Sequence, residues 1–519
     1  MSRPSMSSDP QIPTLEEVQR LASTLGMTLT DVEIESYRNM MRAAFVSCRR
    51  LYELPEWKPP VKYPRGRGYR PSRADNPYNA WYWRTDIKGA SSGPLNGVRV
   101  GVKDSFCVAG IPMTGGSRVL EGFVPDIDAT IVTRLLDAGA EIVGKTTSAS
   151  GVGTRGDNND IFGTVRNPRK PTHAPGGSSN GSAAALAAGD VQMTLGADQG
   201  GSIRIPAAWS GVVGLKPTYG LVPYTGCVSN EMTMVHAGPM ATTVADVARL
   251  LSAIAGPDPL DPRQRGVISS VTDYTATIGQ GVRGLRIGVV LEGFGQPAWD
   301  DIGLLGSEEI VDTKVRSACR ALERRGAVVT EVSIPMHLDG VHIFNGMYNE
   351  GNAHMYKNHN VGTNWLGFYN TKLLEGEGWR SRPNDLSPSA KAMLLTAEYL
   401  DRRYRGRYYA RAQNLRSLLR NAYDDVLASY DVLAMPTVPC RATLIPPPEI
   451  TPQESVAFAM QMINNTCQFG VTGHPAISVP CGMAEDLPIG LMLVGRHLDE
   501  LMVLRVADAF EQVGDWQTM

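Results

Sequence analysis

The sequence predicts an α/β fold with a large, mixed, mostly parallel sheet covered by helices on both faces. The first observation is an alternation of short aliphatic, β-branched runs with segments of helical period. Strands are expected at 98–103, 140–144, 192–197, 285–290, 328–334, 431–435, 476–479 and 490–494. Helices are expected between and around them, at 129–137, 181–189, 244–255, 308–325 and 399–428. Such interleaving is what helical crossovers between parallel strands produce. The second observation is that 519 residues with 42% hydrophobic content can bury a large core. The third is that no internal repeat breaks the pattern, although the length alone favours more than one domain.

Taken in order, residues 1–75 form a helical segment and linker. Thr14 with Glu17, and Thr30 with Glu33, are capping-box pairs. The second opens an expected helix over 31–53, in which Ile34, Tyr37, Met41, Phe45, Cys48 and Leu51 recur near helical spacing. The Pro-, Arg- and Gly-rich stretch 55–73 ends it and reads as a linker. This segment can pack on the rest of the chain or pair with a second copy. The aromatic run 76–83 is read as packing rather than as a substrate entrance, because aromatic clusters mostly bury area.

Lys103 ends the first expected strand. Lysine at a strand end is usually at the surface. If buried, its charged form is penalised and a neutral amine becomes available as a base. The stretch 174–218 then carries two glycine-serine loops, Gly176-Gly177-Ser178-Ser179 and Gly200-Gly201-Ser202, around an alanine-rich helix candidate and a short strand candidate. Glycine-serine loops are commonly linkers. Here the structured segment between them can bring both serines to one sheet edge, and consecutive N–H groups of such loops can converge on an anionic oxygen. Gly177-x-Ser179-x-Gly181 matches a nucleophile-elbow pattern, but no strand precedes it, and Gly89-x-Ser91-x-Gly93 matches equally well. A Ser–His–Asp site is therefore not expected there.

The run GGSSNGSAAALAAG, followed by GADQGGSIRIPAAWSGVVGLKPT and preceded by Gly101-Val102-Lys103-Asp104, resembles the amidase signature family from about residue 76 to 506. DQGGSIRIPA, GLVPYTG and VTGHP are most similar to bacterial nitrile-pathway amidases and to urethanases. The resemblance implies the amidase signature fold and one catalytic domain over 76–519, because the motifs run on without a linker. It implies that Ser202 is the nucleophile, Ser178 the bridging serine after a cis Gly177–Ser178 bond, and Lys103 the base. The backbone N–H groups of Gln199, Gly200, Gly201 and Ser202 would form the oxyanion hole. Gly177, Ser179, Thr225, Cys227 and Phe344 are expected beside the substrate, with Ser179 also supporting the loop and Cys227 serving as wall. The acyl pocket is expected from 151–162, 344–351 and 464–474. Lys145, Asp198 and Arg204 are given structural roles. Three departures stand out: Asn180 in place of a glycine, the neutral run Thr147-Ser148-Ala149-Ser150 after Lys145, and Val235 in place of an aspartate. The neutral run is expected to suit a small or uncharged substrate.

The activity implied is hydrolysis of a neutral carboxamide C–N bond to acid and ammonia or amine, without cofactor or metal. Carbamate hydrolysis by the same residues is the alternative. A weaker alternative is a role as one component of an amidotransferase. Fifty basic and 52 acidic residues give a net charge of −2, which argues against a nucleic-acid partner. The N-terminus lacks the apolar core of a signal peptide, and no apolar run approaches a membrane span. The odd number of scattered cysteines, seven, reads as reduced thiols in a cytoplasmic protein. The eight histidines form no motif of metal-binding spacing. A homodimer is the default oligomer.

Overall fold

The aliphatic runs from residue 81 onwards pair into one eleven-stranded sheet. The structure, a computed structural model, describes residues 10–149, 158–159, 163–228, 230–264, 268, 270–358, 366–374, 378–447 and 449–519. Its strands are β1 (Trp81–Lys88), β2 (Arg99–Lys103), β3 (Glu141–Thr146), β4 (Asn158–Asn159), β5 (Gly163–Thr164), β6 (Met193–Asp198), β7 (Val213–Lys216), β8 (His236–Ala241), β9 (Arg286–Val290), β10 (Val328–Val332), β11 (Val432–Pro436), β12 (Ala476–Ala484) and β13 (Leu487–Val494). The large sheet runs β1-β3-β2-β6-β8-β7-β12-β13-β11-β9-β10, and β4 pairs only with β5.

The sheet is mixed, as expected, but parallel ladders do not predominate. They join β3, β2 and β6 on one side and β11, β9 and β10 on the other. The middle, from β6 through β8, β7, β12 and β13 to β11, is antiparallel, as is the β1 edge. Turn chemistry explains part of this. Only Glu485 and Asp486 separate β12 from β13, both with positive φ (51° and 65°). A two-residue connection of that kind closes a hairpin and forces antiparallel pairing.

The chain divides into two compact units, Met1–Pro60 and Val61–Met519. In the first, helices Leu15–Thr24 and Asp31–Glu53 both start at complete capping boxes. Of the expected apolar stripe, Ile34 is buried whereas Tyr37 and Leu51 are exposed. In the second unit the aromatic run supplies β1. Trp81 is buried there, with its indole N–H donating to Asp190 at 2.7 Å.

The expected helix 399–428 is two helices, Pro388–Tyr404 and Arg407–Leu427. Arg405 and Gly406 take left-handed φ of 55° and 73°, which ends one helix before the next begins. Residues 344–351, expected to contribute to the acyl pocket, belong to a long helix, Met336–Lys357. Its glycines obscure the helical signal but serve packing: a Cβ on Gly346 would meet the Ala412 methyl at 2.9 Å.

Candidate active site

Lys103 is the last residue of β2, and β2 lies between β3 and β6, so the lysine leaves the sheet inside the protein. It is only 2% exposed. Burial drives its pKa down to about 7, with Asp198 opposing that shift. Its Nζ lies 2.8 Å from Ser178 Oγ and also donates to Ala197 O at 3.3 Å.

Ser178 sits just before the helix Asn180–Ala187, and the Gly177–Ser178 peptide is cis. Its carbonyl accepts from the Ala149 N–H at 3.1 Å and the Ser148 hydroxyl at 3.3 Å. The helix it precedes consists of small residues that are nearly all buried, which lets backbone approach backbone. A Cβ on Gly181 would lie 2.5 Å from both Ala80 O and Thr147 N. Asn180 Oδ1 accepts from the N–H groups of Ala149 (3.1 Å) and Gly181 (2.9 Å), tying this helix start to the segment after β3. Ser148 and Thr147 are buried and spent on such backbone contacts, so the described part of the neutral run, residues 147–149, is scaffold rather than cavity wall.

Ser202 lies in the loop between β6 and the helix Arg204–Ser210. The two serine loops are laced together. Ser179 N–H donates to Ser202 O at 3.2 Å, and Ser179 Oγ lies 3.2 and 3.3 Å from the Ala197 carbonyl and N–H. Ser179 is thus fully buried and joins the loops without lining the cavity. Asp198 organises the rest. Its carboxylate accepts from the N–H groups of Gly201 (2.8 Å) and Ile203 (3.1 Å) and from two nitrogens of Arg204, both at 3.0 Å. Among the described residues, the hydrogen bonds include the Lys103–Ser178 link but none from Ser178 Oγ to Ser202 Oγ. Such contacts often tighten only with substrate bound.

These residues border one narrow cavity of about 50 Å³. Lys103, Gly177, Ser178, Gln199, Gly200 and Ser202 line it. Gly201 does not line it, because its N–H is turned to Asp198. Of the four residues expected to supply oxyanion donors, Gln199, Gly200 and Ser202 line the cavity. Phe344 lines it, as expected, and so does Tyr348 one helical turn on. Thr225 and Cys227 do not: the chain presents their neighbours Tyr224 and Val228 instead. Burial pushes the Cys227 thiol far above its usual range, which makes it inert. The expected segment 464–474 is replaced by Ala459, Met460 and Ile463, just upstream. The expected segment 151–162 lies outside the described residues except for β4.

Sequence reasoning missed Ser105, which lines the cavity with a buried hydroxyl that has no hydrogen-bond partner among the described residues. Its signal was available, two residues after Lys103. Val235, read as a departure, is also cavity wall, so that wall is apolar.

Lys145 is structural: it pairs with Asp104 at 3.1 Å and donates to Phe106 O at 2.6 Å. Two histidines do meet a carboxylate: Asp424 lies 2.9 Å from His474 and 3.7 Å from His497. Arg420 shares that carboxylate at 3.3 Å, and none of the four lines the cavity. Among the described residues, no helix is long and apolar enough to cross a membrane.

A family model described as Amidase matches residues 78–504. An enantioselective amidase of Rhodococcus rhodochrous is 39% identical over 513 residues, 97% of this chain and 96% of the relative. The A subunit of the glutamyl-tRNA(Gln) amidotransferase of Chloroflexus aurantiacus is 37% identical over 436 residues, 83% of this chain and 85% of the relative. Among solved structures, a bacterial aryl acylamidase of the amidase signature family superposes with a TM-score of 0.69 at 26% identity, covering 82% of this chain and 84% of the other.

Proposed function

The chain belongs to the amidase family, and from that premise we propose that it cleaves a neutral carboxamide through Lys103, Ser178 and Ser202 by way of an acyl-enzyme. The observation that carries the residue assignment is the 2.8 Å contact between Ser178 Oγ and an almost fully buried lysine whose pKa is about 7. A lysine held neutral can do at physiological pH what histidine does elsewhere.

In this reading Lys103 Nζ takes the Ser178 hydroxyl proton while Ser178 Oγ takes that of Ser202. Ser202 Oγ attacks the carbonyl carbon, and the C=O electron pair moves to oxygen. The N–H groups of the cavity-lining Gln199, Gly200 and Ser202 receive that oxyanion, each well-placed donor contributing about 3 kcal/mol in the transition state. The proton returns through Ser178 to the leaving nitrogen, the C–N bond breaks, and water cleaves the ester by the same relay reversed. The apolar walls at Ile205, Val228, Val235 and Phe344 support a neutral acyl group.

Carbamate cleavage would use the same atoms. The amidotransferase reading is weaker, because the amidase relative matches 97% of the chain and the amidotransferase relative 83%. None of the seven cysteines, all of them among the described residues, forms a disulfide, which supports a reducing, cytoplasmic setting. Exposed Val32, Met40 and Val46 on the helix Asp31–Glu53 support pairing with a second copy.

The test compares an aryl amide with its matched aryl carbamate, on the native protein and on Ser202→Ala. Amide turnover should dominate and fall at least about 10⁴-fold in the variant, as when a nucleophile is removed. Full activity in the variant defeats the nucleophile assignment, and preferential carbamate turnover makes the protein a urethanase.

A further inference from the structure

The active cavity does not end at Tyr348, Met460 and Ile463. The same three side chains also line an open groove of about 570 Å³ on their other side. Its walls are the helices Met336–Lys357, Pro388–Tyr404 and Pro452–Met460, with the turn Asp300–Ile302 at the rim. The volume lies in the range of small-molecule sites, whereas the inner cavity holds little beyond the reacting group.

Three features give the groove a chemical character. Its floor is largely apolar, with Leu304, Ala392, Met393, Val456 and Ala457. Its charged lining residues are Asp300 and Asp301, both exposed and in none of the ion pairs of the described residues, and no Lys, Arg or His lines it. Ser389 is only 7% exposed, and its hydroxyl has no hydrogen-bond partner among the described residues. A buried hydroxyl without a partner is costly, so one in a groove wall marks a place where a ligand atom or water completes it.

We propose that this groove is an extended substrate subsite. It takes the part of the amide remote from the scissile bond, apolar along its length and ending in a cation or a hydrogen-bond donor. Amides ending in a carboxylate are rejected by the acidic rim. The proposal rests on the amide-hydrolase reading and deepens it: the inner cavity selects the reacting group, and the groove selects the tail.

The experiment uses two matched series, because the tail can extend from either side of the bond. One is 6-aminohexanamide, hexanamide and the monoamide of adipic acid. The other is N-(5-aminopentyl)acetamide, N-hexylacetamide and 6-acetamidohexanoate. Propionamide is the short reference. Turnover is measured on the native protein, on Asp300→Asn/Asp301→Asn and on Ala392→Trp. Binding is measured by calorimetry on the same set in a Ser202→Ala background.

In the series that uses the groove, the cationic member should exceed the anionic one in kcat/KM. The double asparagine variant should reduce that preference by about fivefold, the size expected of exposed charge pairs. Ala392→Trp should lower kcat/KM about tenfold for tailed amides by excluding them. Propionamide turnover should not change in either variant. If propionamide is hydrolysed but neither series responds to either variant, the groove proposal is overturned while the amidase reading stands. If nothing is hydrolysed, the calorimetry decides the groove by itself: tail-dependent binding that the two variants weaken supports it, and its absence overturns it.

Discussion

Replacing Lys103 by Met should destroy activity and stabilise the protein, both because of one buried amine. Burial shifts the lysine from 10.5 to about 7. At pH 7 a lysine at 10.5 is neutral in only about one molecule in 3,000, whereas one at about 7 is neutral in about half, a gain of roughly a thousandfold in base. The native protein should therefore show kcat/KM rising with pH to a plateau, with its limb at about 7. Lys103→Met should lose activity by at least about 10³-fold and lose the limb, because among the described residues Lys103 is the one side chain hydrogen-bonded to Ser178 Oγ. The sign of the stability effect follows from proton counting. Between about pH 7 and 10.5 the unfolded chain holds the lysine proton and the fold does not, so this residue's contribution to stability rises with pH in that window. Below about pH 7 its cost is constant, on the order of 5 kcal/mol at most. The variant should unfold at higher denaturant than the native protein at about pH 6, and the gap should shrink toward about pH 9. A limb near about pH 10, the ordinary lysine range, or a native-like pH profile in the variant, refutes the assignment. A stability gap that does not change with pH refutes the burial argument by itself.

Two other substitutions test the architecture around the relay. Gly181→Ala forces a methyl against Ala80 O and Thr147 N at 2.5 Å, so it should cost about 1–3 kcal/mol in urea unfolding and depress kcat by shifting the Ser178 loop. Val235→Asp places a carboxylate in the wall of the cavity that Lys103 lines; an anion there favours the ammonium form, so the pH–rate limb should move upward from about 7 and activity at neutral pH should fall.

Different parts of the protein were legible for different reasons. Lys103, Ser178 and Ser202 belong to contiguous motifs whose spacing survives any uncertainty about the rest of the fold. The walls of the cavity come from Tyr224, Val235, Phe344 and Met460, which only tertiary packing brings together. The resemblance points to Phe344 and singles out Val235, but no local pattern marks Tyr224 or Met460. The difference between Gly201 and Gly200 depends on a carboxylate three residues before Gly201 turning back to one amide rather than its neighbour. Strand β8 was invisible because its sequence, HAGPMA, contains Gly238 and Pro239, which argue against a central strand. The ladder to β7 involves only Met240 and Ala241 of that strand, so Pro239 lies beyond it and no β7 hydrogen bond requires its missing N–H. The same logic hid β12 and β13 as a hairpin, since Glu485-Asp486 is not the Asn-Gly or Asp-Gly signal that such a turn usually carries.

The pair Asp198–Arg204 links the shape of the loop that carries the proposed nucleophile to the protonation of the proposed base. Asp198 is fully buried and is the one charge that opposes the depression of Lys103. A lone carboxylate even about 5 Å from an ammonium attracts it by on the order of 3 kcal/mol in a protein interior, enough to offset much of the effect of burial. Arg204 prevents this by occupying both carboxylate oxygens, and the Arg204 charge keeps Asp198 ionised against its own desolvation. The remaining lone pairs go to Gly201 and Ile203, on either side of Ser202. A neutral residue at 198 would also leave Lys103 free to deprotonate, but it would not fix both amides and would leave Arg204 unpaired in the core. An unpaired aspartate would fix the amides and charge the lysine. Only the ion pair does both, so a buried salt bridge of small net value for stability serves the proposed nucleophile Ser202 through its geometry and its field.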